Sequence, residues 1–91
     1  MKTYLIIYQL MLPESSYPQL FAFLRSGQLW ARPLPNAWMI KYNFDAGILR
    51  NNLMQYVYKG DRIFVTAIPN GEWGTFNIES AVTDWMKINL S

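Results

Sequence analysis

Hydrophobic and polar positions alternate along the chain in blocks that predict its elements. From Lys2 to Leu12 the residues are mostly β-branched, aromatic or long aliphatic, as in a strand. Its two sides read Thr3, Leu5, Ile7, Gln9, Met11 and Tyr4, Ile6, Tyr8, Leu10. Both sides are mostly apolar, so both faces of a sheet built on this strand need cover. Pro13-Glu14-Ser15-Ser16 is a turn. Ser16 and Gln19 have the spacing of a capping box, and Pro18 is tolerated in a first helical turn. Tyr17, Leu20, Phe21 and Leu24 then fall on one face of a helix, which Gly27 is placed to stop as a C-cap. Gln28 to Arg32 and Ala37 to Tyr42 predict two short strands. They are joined by Pro33-Leu34-Pro35-Asn36, a stiff loop whose prolines argue against strand interior. Asp45 is the next N-cap candidate, with Ile48, Leu49, Leu53 and Tyr56 as the apolar stripe of a helix ending near Val57. Gly47 weakens its first turn. Lys59-Gly60-Asp61 reads as a tight turn, and Arg62 to Ile68 as a strand ended by Pro69-Asn70-Gly71.

The order strand, helix, strand, strand, helix, strand is that of an α+β, ferredoxin-like βαββαβ domain. Two helices lie on one face of a four-stranded antiparallel sheet. Right-handed crossovers make this arrangement natural for both βαβ units. Residues 2–69 complete that core, and residues 70–91 form an extension within one domain of residues 1–91. In the extension, Glu72 to Phe76 predicts a short extended segment. Asn77 then caps a helix over residues 78–90, whose stripe is Ile78, Ala81, Val82, Trp85 and Met86. That helix must dock on its own sheet or on a neighbour's.

Composition narrows the chemistry. The chain has no cysteine and no histidine. Thiol nucleophiles, disulfides, Ser-His-Asp triads and His or Cys metal sites are therefore excluded. Aromatic residues make up 16% and charged residues 15%, the opposite of a disordered composition. No apolar run approaches the ~20 residues of a membrane helix, so no membrane partner is expected. Met1-Lys2-Thr3 precedes an apolar stretch, but no small-residue cleavage site follows. A first strand in a cytoplasmic protein is the expectation.

The net charge is +2, from eight basic and six acidic residues with no basic run. A fold can still gather scattered cations into a nucleic-acid footprint. Arg25, Arg32, Lys41 and Arg62 are the candidates for phosphate contact, with Trp30 and Trp38 as surfaces on which bases could stack. The strand positions of both tryptophans fit core or dimer packing equally well. Among the acids, Asp45 reads as a cap, Asp61 as a turn residue and Glu79 as a first-turn residue. Two-metal phosphoryl chemistry needs convergent carboxylates, and the sequence supplies no such set. Ser15 and Ser16 have no base to activate them, and Gly71-Glu72-Trp73-Gly74 lacks the Gly-Lys-Ser/Thr of a phosphate loop.

Four segments together resemble the SinR-type branch of the CRISPR-associated protein 2 superfamily. They are Lys2-Thr3-Tyr4-Leu5-Ile6-Ile7-Tyr8, the Tyr17-Pro18 helix start, Ala37-Trp38-Met39-Ile40-Lys41, and Lys59-Gly60-Asp61-Arg62-Ile63-Phe64-Val65. The resemblance covers residues 2–76 and implies the ferredoxin-like fold. It also implies homodimers formed through sheet surfaces and tail strands. Many members are assigned metal-dependent nuclease activity, others serve as DNA scaffolds, and virulence-associated protein D is a distant endoribonuclease relative. The family's Tyr-Asp-Leu triplet, whose Asp is the proposed metal ligand, is here Tyr8-Gln9-Leu10. A neutral amide does not recruit magnesium, which prefers carboxylates. Glu14, in the loop just beyond, is the nearest substitute ligand. The resemblance thus implies a homodimer that is catalytically degenerate at Gln9, needs no cofactor, and binds DNA, RNA or another protein. The alternatives are a divergent magnesium-dependent endoribonuclease or toxin, and an inhibitor or regulator of the CRISPR machinery. The apolar second face of the first strand independently suggests a dimer.

Overall fold

The computed structural model describes residues 1–27 and 29–91. Its elements are β1 (Lys2–Gln9), α1 (Pro18–Leu24), β2 (Trp30–Leu34), β3 (Ala37–Tyr42), α2 (Ala46–Met54), β4 (Arg62–Ile68) and α3 (Ser80–Asn89), with a 3-10 turn at Glu14–Ser16. The strands form one sheet in the order β2-β3-β1-β4, and every neighbouring pair is antiparallel. This is the α+β, ferredoxin-like arrangement, with an added C-terminal helix.

β1 is central, and its alternation builds the fold. Tyr4, Ile6 and Tyr8 face α1 and α2, in a core with Tyr17, Leu20, Phe21, Leu24, Trp38, Ile40, Leu49 and Leu53. Ile6 lies in register between Trp38 and Val65. Thr3, Leu5 and Ile7 take the opposite face by strand alternation. There a second core joins Ala31 and Met39 to Val82, Met86 and Leu90 of α3, with Leu5, Ile68, Trp73, Ile78 and Trp85 packed around it. The C-terminal end of α3 is tied down twice. Lys41 Nζ donates to the Asn89 carbonyl at 3.1 Å, and Gly71 N donates to the Leu90 carbonyl at 2.6 Å. Gly71 sits at φ 79°, a conformation that suits glycine.

Several boundaries differ from expectation, each for a local reason. β1 stops at Gln9 rather than Leu12, because Met11 N turns away to the Asp61 carboxylate. The capping box does not form. Ser16 N donates to Pro13 within the 3-10 turn, and Tyr17 is the N-cap, without a side-chain bond. Gly27 does not cap α1. The helix ends at Leu24, and Ser26 closes it by donating from both N and Oγ to the Phe23 carbonyl. The expected strand start at Gln28 lies outside the described residues. The strand runs through Pro33, which the chain tolerates because β2 is an outer strand and its register shifts between Ala31 and Leu34.

In α2, Asp45 Oδ1 accepts from Ile48 N as a cap should, at 2.9 Å. The helix ends at Met54, where Gln55 N and Tyr56 N reach carbonyls three residues back. Ile48 is exposed and leaves the predicted stripe. Among the described residues, Glu72 to Phe76 pairs with no strand. Asn77 takes φ 56° rather than capping, and α3 begins at Ser80 with Ala81 exposed.

Of the two expected docking places, α3 takes its own sheet, and it covers part of the face whose apolar side chains suggest a dimer. The part towards β4 stays open, with Phe64 60% exposed and Ile7 36% exposed. Among the described residues, no helix is long and apolar enough to cross a membrane.

Leu90 is fully buried although it is the penultimate residue. Leu90→Ala should therefore lower stability by ~2–5 kcal/mol, read as a shift in the urea midpoint. An unchanged midpoint would show that α3 unfolds separately from the sheet.

Candidate nucleic-acid interface

Trp38 is 0% exposed, with its ring on the α1 side of β3. A buried indole N–H needs an acceptor, and Trp38 Nε1 finds Tyr8 Oη at 3.0 Å. Tyr8 in turn donates to the Pro35 carbonyl at 3.0 Å. The same carbonyl accepts from Arg32 Nε at 3.2 Å and Nη2 at 2.6 Å. Arg32, with its side chain 22% exposed, is completed by an ion pair to Glu14 Oε2 at 2.9 Å. Satisfying the buried indole therefore fixes the β2–β3 turn, and that turn fixes a guanidinium.

A second guanidinium converges on the same rings. The Arg32 guanidinium carbon lies 4.9 Å from the Trp38 centroid and 5.2 Å from that of Phe21. The corresponding Arg25 distances are 5.4 and 5.7 Å. All four are within the ~6 Å of a cation–π contact. Trp30, half-buried, packs on Trp38 at 5.1 Å between centroids. Four of the six candidates, Arg25, Arg32, Trp30 and Trp38, are thus one cluster. Of the two cations, Arg32 is ion-paired with the exposed Glu14, and among the described residues Arg25 has no such pair. Trp38 serves as the floor of the cluster and offers no free face, while Trp30 is the partly accessible ring.

The other candidates lie elsewhere. Lys41 is used at the end of α3. Arg62 is the register partner of Gln9 across β1 and β4. Gln9 and Arg62 line an open cavity of ≈ 720 Å³ with Ile7, Leu12, Glu14 and Phe64. Gln9 therefore has a cationic residue beside it, and Glu14 is engaged by Arg32. Among the described residues, no three acidic, histidine or cysteine side chains gather in a way that could hold a metal ion.

The loop carrying Glu14 is pinned by Asp61. Its carboxylate accepts from Met11 N and Tyr58 N at 2.8 Å each, and from Tyr17 Oη at 2.9 Å. Desolvation pushes the Asp61 carboxyl up, but these three donors outweigh it and hold it below its ordinary range. Burial, followed by donation to Asp61, raises the Tyr17 hydroxyl above its ordinary value. The sequence reading treated Asp61 only as a turn residue and Tyr17 only as part of a helix face. Their partnership spans 44 positions, and no local spacing announces it. The same holds for Tyr8 and Trp38, which are 30 positions apart.

Comparison of the chain with protein-family models, characterised proteins and solved structures gives no match.

The lowered Asp61 pKa sets a pH dependence. Its contribution is complete above the unfolded value of ~3.9 and is lost as pH falls through the lower folded value. The stability difference between the native protein and Asp61→Asn should accordingly shrink below about pH 4. For Tyr17, the contribution is present below the unfolded value of ~10 and is lost as pH rises through the raised folded value. Tyr17→Phe should remove that alkaline loss. Urea unfolding across the pH range measures both, and parallel curves would contradict the linkage.

Proposed function

We propose that the protein is a non-catalytic nucleic-acid-binding module of the CRISPR-associated protein 2 type, acting in the cytoplasm. The observation that carries this reading is the convergence of Arg25 and Arg32 on one aromatic floor. Two guanidinia, of which only Arg32 is ion-paired among the described residues, leave a local excess of positive charge. Arginine suits phosphate because its planar fork makes paired hydrogen bonds. Trp30, on the same floor, adds a ring against which a base can stack. The ferredoxin-like fold and the resemblance of four segments to that superfamily support the same reading. Gln9 supports its non-catalytic half, because a neutral side chain beside Arg62 gives magnesium no anionic ligand.

Fluorescence anisotropy with short RNA and DNA oligonucleotides, single- and double-stranded, tests binding. Affinity should fall steeply with salt, and Arg25→Ala should reduce the salt slope by about one. Glu14→Gln frees Arg32 and should tighten binding by up to about fivefold, since an exposed ion pair is worth ~0–1 kcal/mol. Absence of salt-dependent binding to every oligonucleotide would overturn this reading in favour of a protein partner. Metal-dependent cleavage by the native protein that survives Gln9→Ala would overturn its non-catalytic half and place a nuclease site elsewhere.

A further inference from the structure

The cavity at the end of β1 holds a cation without a counter-ion. Gln9 and Arg62 line it as a register pair, and Ile7 and Phe64 line it as the next pair on the same face. Among the described residues, the ion pair is that of Arg32 with Glu14, so Arg62 has none. Asp61, the neighbour of Arg62 in the chain, spends its carboxylate on Met11 N, Tyr58 N and the Tyr17 hydroxyl. Glu14, on the cavity wall, is held by Arg32. The acid before β4 and the acid on the wall are thus both engaged elsewhere.

The wall also carries amides with nothing to bond. Among the described residues, the amide side chains bonded within the chain are those of Asn51, Asn52, Gln55 and Asn89. Gln9 and Asn36, both lining the cavity, are not among them. Beside this polar end lies an apolar one. Phe64, Leu12 and Ile7 stay exposed, and no residue of α3 lines the cavity. An apolar surface with a few convergent polar groups, around ≈ 720 Å³, has the form of a small-molecule site.

We propose that this cavity binds a small aromatic monocarboxylate, its carboxylate on Arg62 and Gln9 and its ring on Phe64. The guanidinium fork matches the two oxygens of a carboxylate, and the Gln9 amide supplies a further N–H. A second negative charge on the ligand would face Glu14, so a monoanion is favoured over a dianion. The Gln9–Arg62 and Ile7–Phe64 pairs are two residues apart, ~7 Å at ~3.3 Å per residue. That separation suits a ring joined to the carboxylate through a chain of two or three carbons. The exposed Phe64 ring offers an edge or an offset face to it, and Ile7 and Leu12 complete the apolar wall. The site uses neither Arg25 nor Arg32, so it stands apart from the nucleic-acid reading.

Titration of the isotopically labelled full chain with 3-phenylpropionate, followed by NMR, tests this assignment. Saturable shifts should appear at Ile7, Gln9, Arg62 and Phe64 at millimolar concentration. Three other probes divide the contributions. 3-Phenylpropionamide keeps the ring without the charge, hexanoate keeps the charge without the ring, and phenyl phosphate carries a second negative charge. All three should bind more weakly than 3-phenylpropionate. Arg62→Gln should weaken 3-phenylpropionate about tenfold, the scale of a hydrogen bond to a charged group, and leave the amide unchanged. Arg62→Lys should restore part of the loss, and Phe64→Ala should weaken 3-phenylpropionate but not hexanoate. Both side chains are exposed, and unshifted amide signals outside the cavity would confirm that the variants fold. Absence of saturable shifts, or equal binding of the acid and its amide by the native protein, would overturn the proposal. So would hexanoate or phenyl phosphate binding as tightly as 3-phenylpropionate, or an affinity for 3-phenylpropionate that Arg62→Gln leaves unchanged.

Discussion

A central strand with two apolar faces is the constraint from which the rest of this structure follows. β1 lies between β3 and β4, so its backbone is satisfied on both edges. Its side chains still require a layer above and a layer below. The β1-α1-β2 and β3-α2-β4 connections place α1 and α2 on one face, as right-handed crossovers demand. Nothing in the βαββαβ core can reach the other face. The extension from residue 70 supplies the missing layer, and α3 fills it only in part. The exposed Phe64 and Ile7 are what remains once one short helix has covered as much as it can.

The basic cluster has its origin in the core. Trp38 brings a large apolar surface to the space under α1, but also an N–H that must be bonded. Tyr8, two residues along β1 from Ile6, meets that need and passes the obligation to the Pro35 carbonyl. Arg32 then shares this carbonyl, and its guanidinium comes to rest over the Trp38 and Phe21 rings. Arg25 arrives from the end of α1 for the same reason, since the ring faces are the nearest negative electrostatic surface. Surface charge is in this way positioned by the buried hydrogen-bond chain and the ring floor below it.

The periodic parts of the fold were legible in the sequence and the junctions were not. The boundaries of β3 and β4 coincide with expectation, because β-branched and aromatic residues are bounded there by turn residues. Asp45 caps α2 as its position suggested. The ends of α1 are not legible, because Ser16 and Gly27 are good caps in isolation, whereas the N-cap is Tyr17, without a side-chain bond, and Ser26 bonds the Phe23 carbonyl. Pro33 is not legible as strand because the rule against proline in strands applies to inner strands, and β2 is an edge. Of the site, Arg25, Arg32, Trp30 and Trp38 were named singly. Their meeting depends on β2–β3 pairing and on the Tyr8 hydroxyl, which no linear spacing encodes.

The two layers over the sheet differ in how completely their polar groups are paired. On the α1 and α2 side, Tyr4, Tyr8, Tyr17 and Trp38 each bond through their polar atoms, although all four are buried. On the α3 side, Thr3 Oγ1 and Trp85 Nε1 are buried with no hydrogen-bond partner among the described residues. An unmade bond of this kind costs about 1–3 kcal/mol. The α3 layer therefore offsets part of its own apolar gain, while the opposite layer keeps nearly all of its gain. The Arg25 and Arg32 guanidinia lie over rings of the better-paired layer, those of Phe21 and Trp38. The cluster nonetheless rests on both layers, because β2 carries Arg32 and Trp30 on one side and packs Ala31 against Val82, Met86 and Leu90 of α3 on the other.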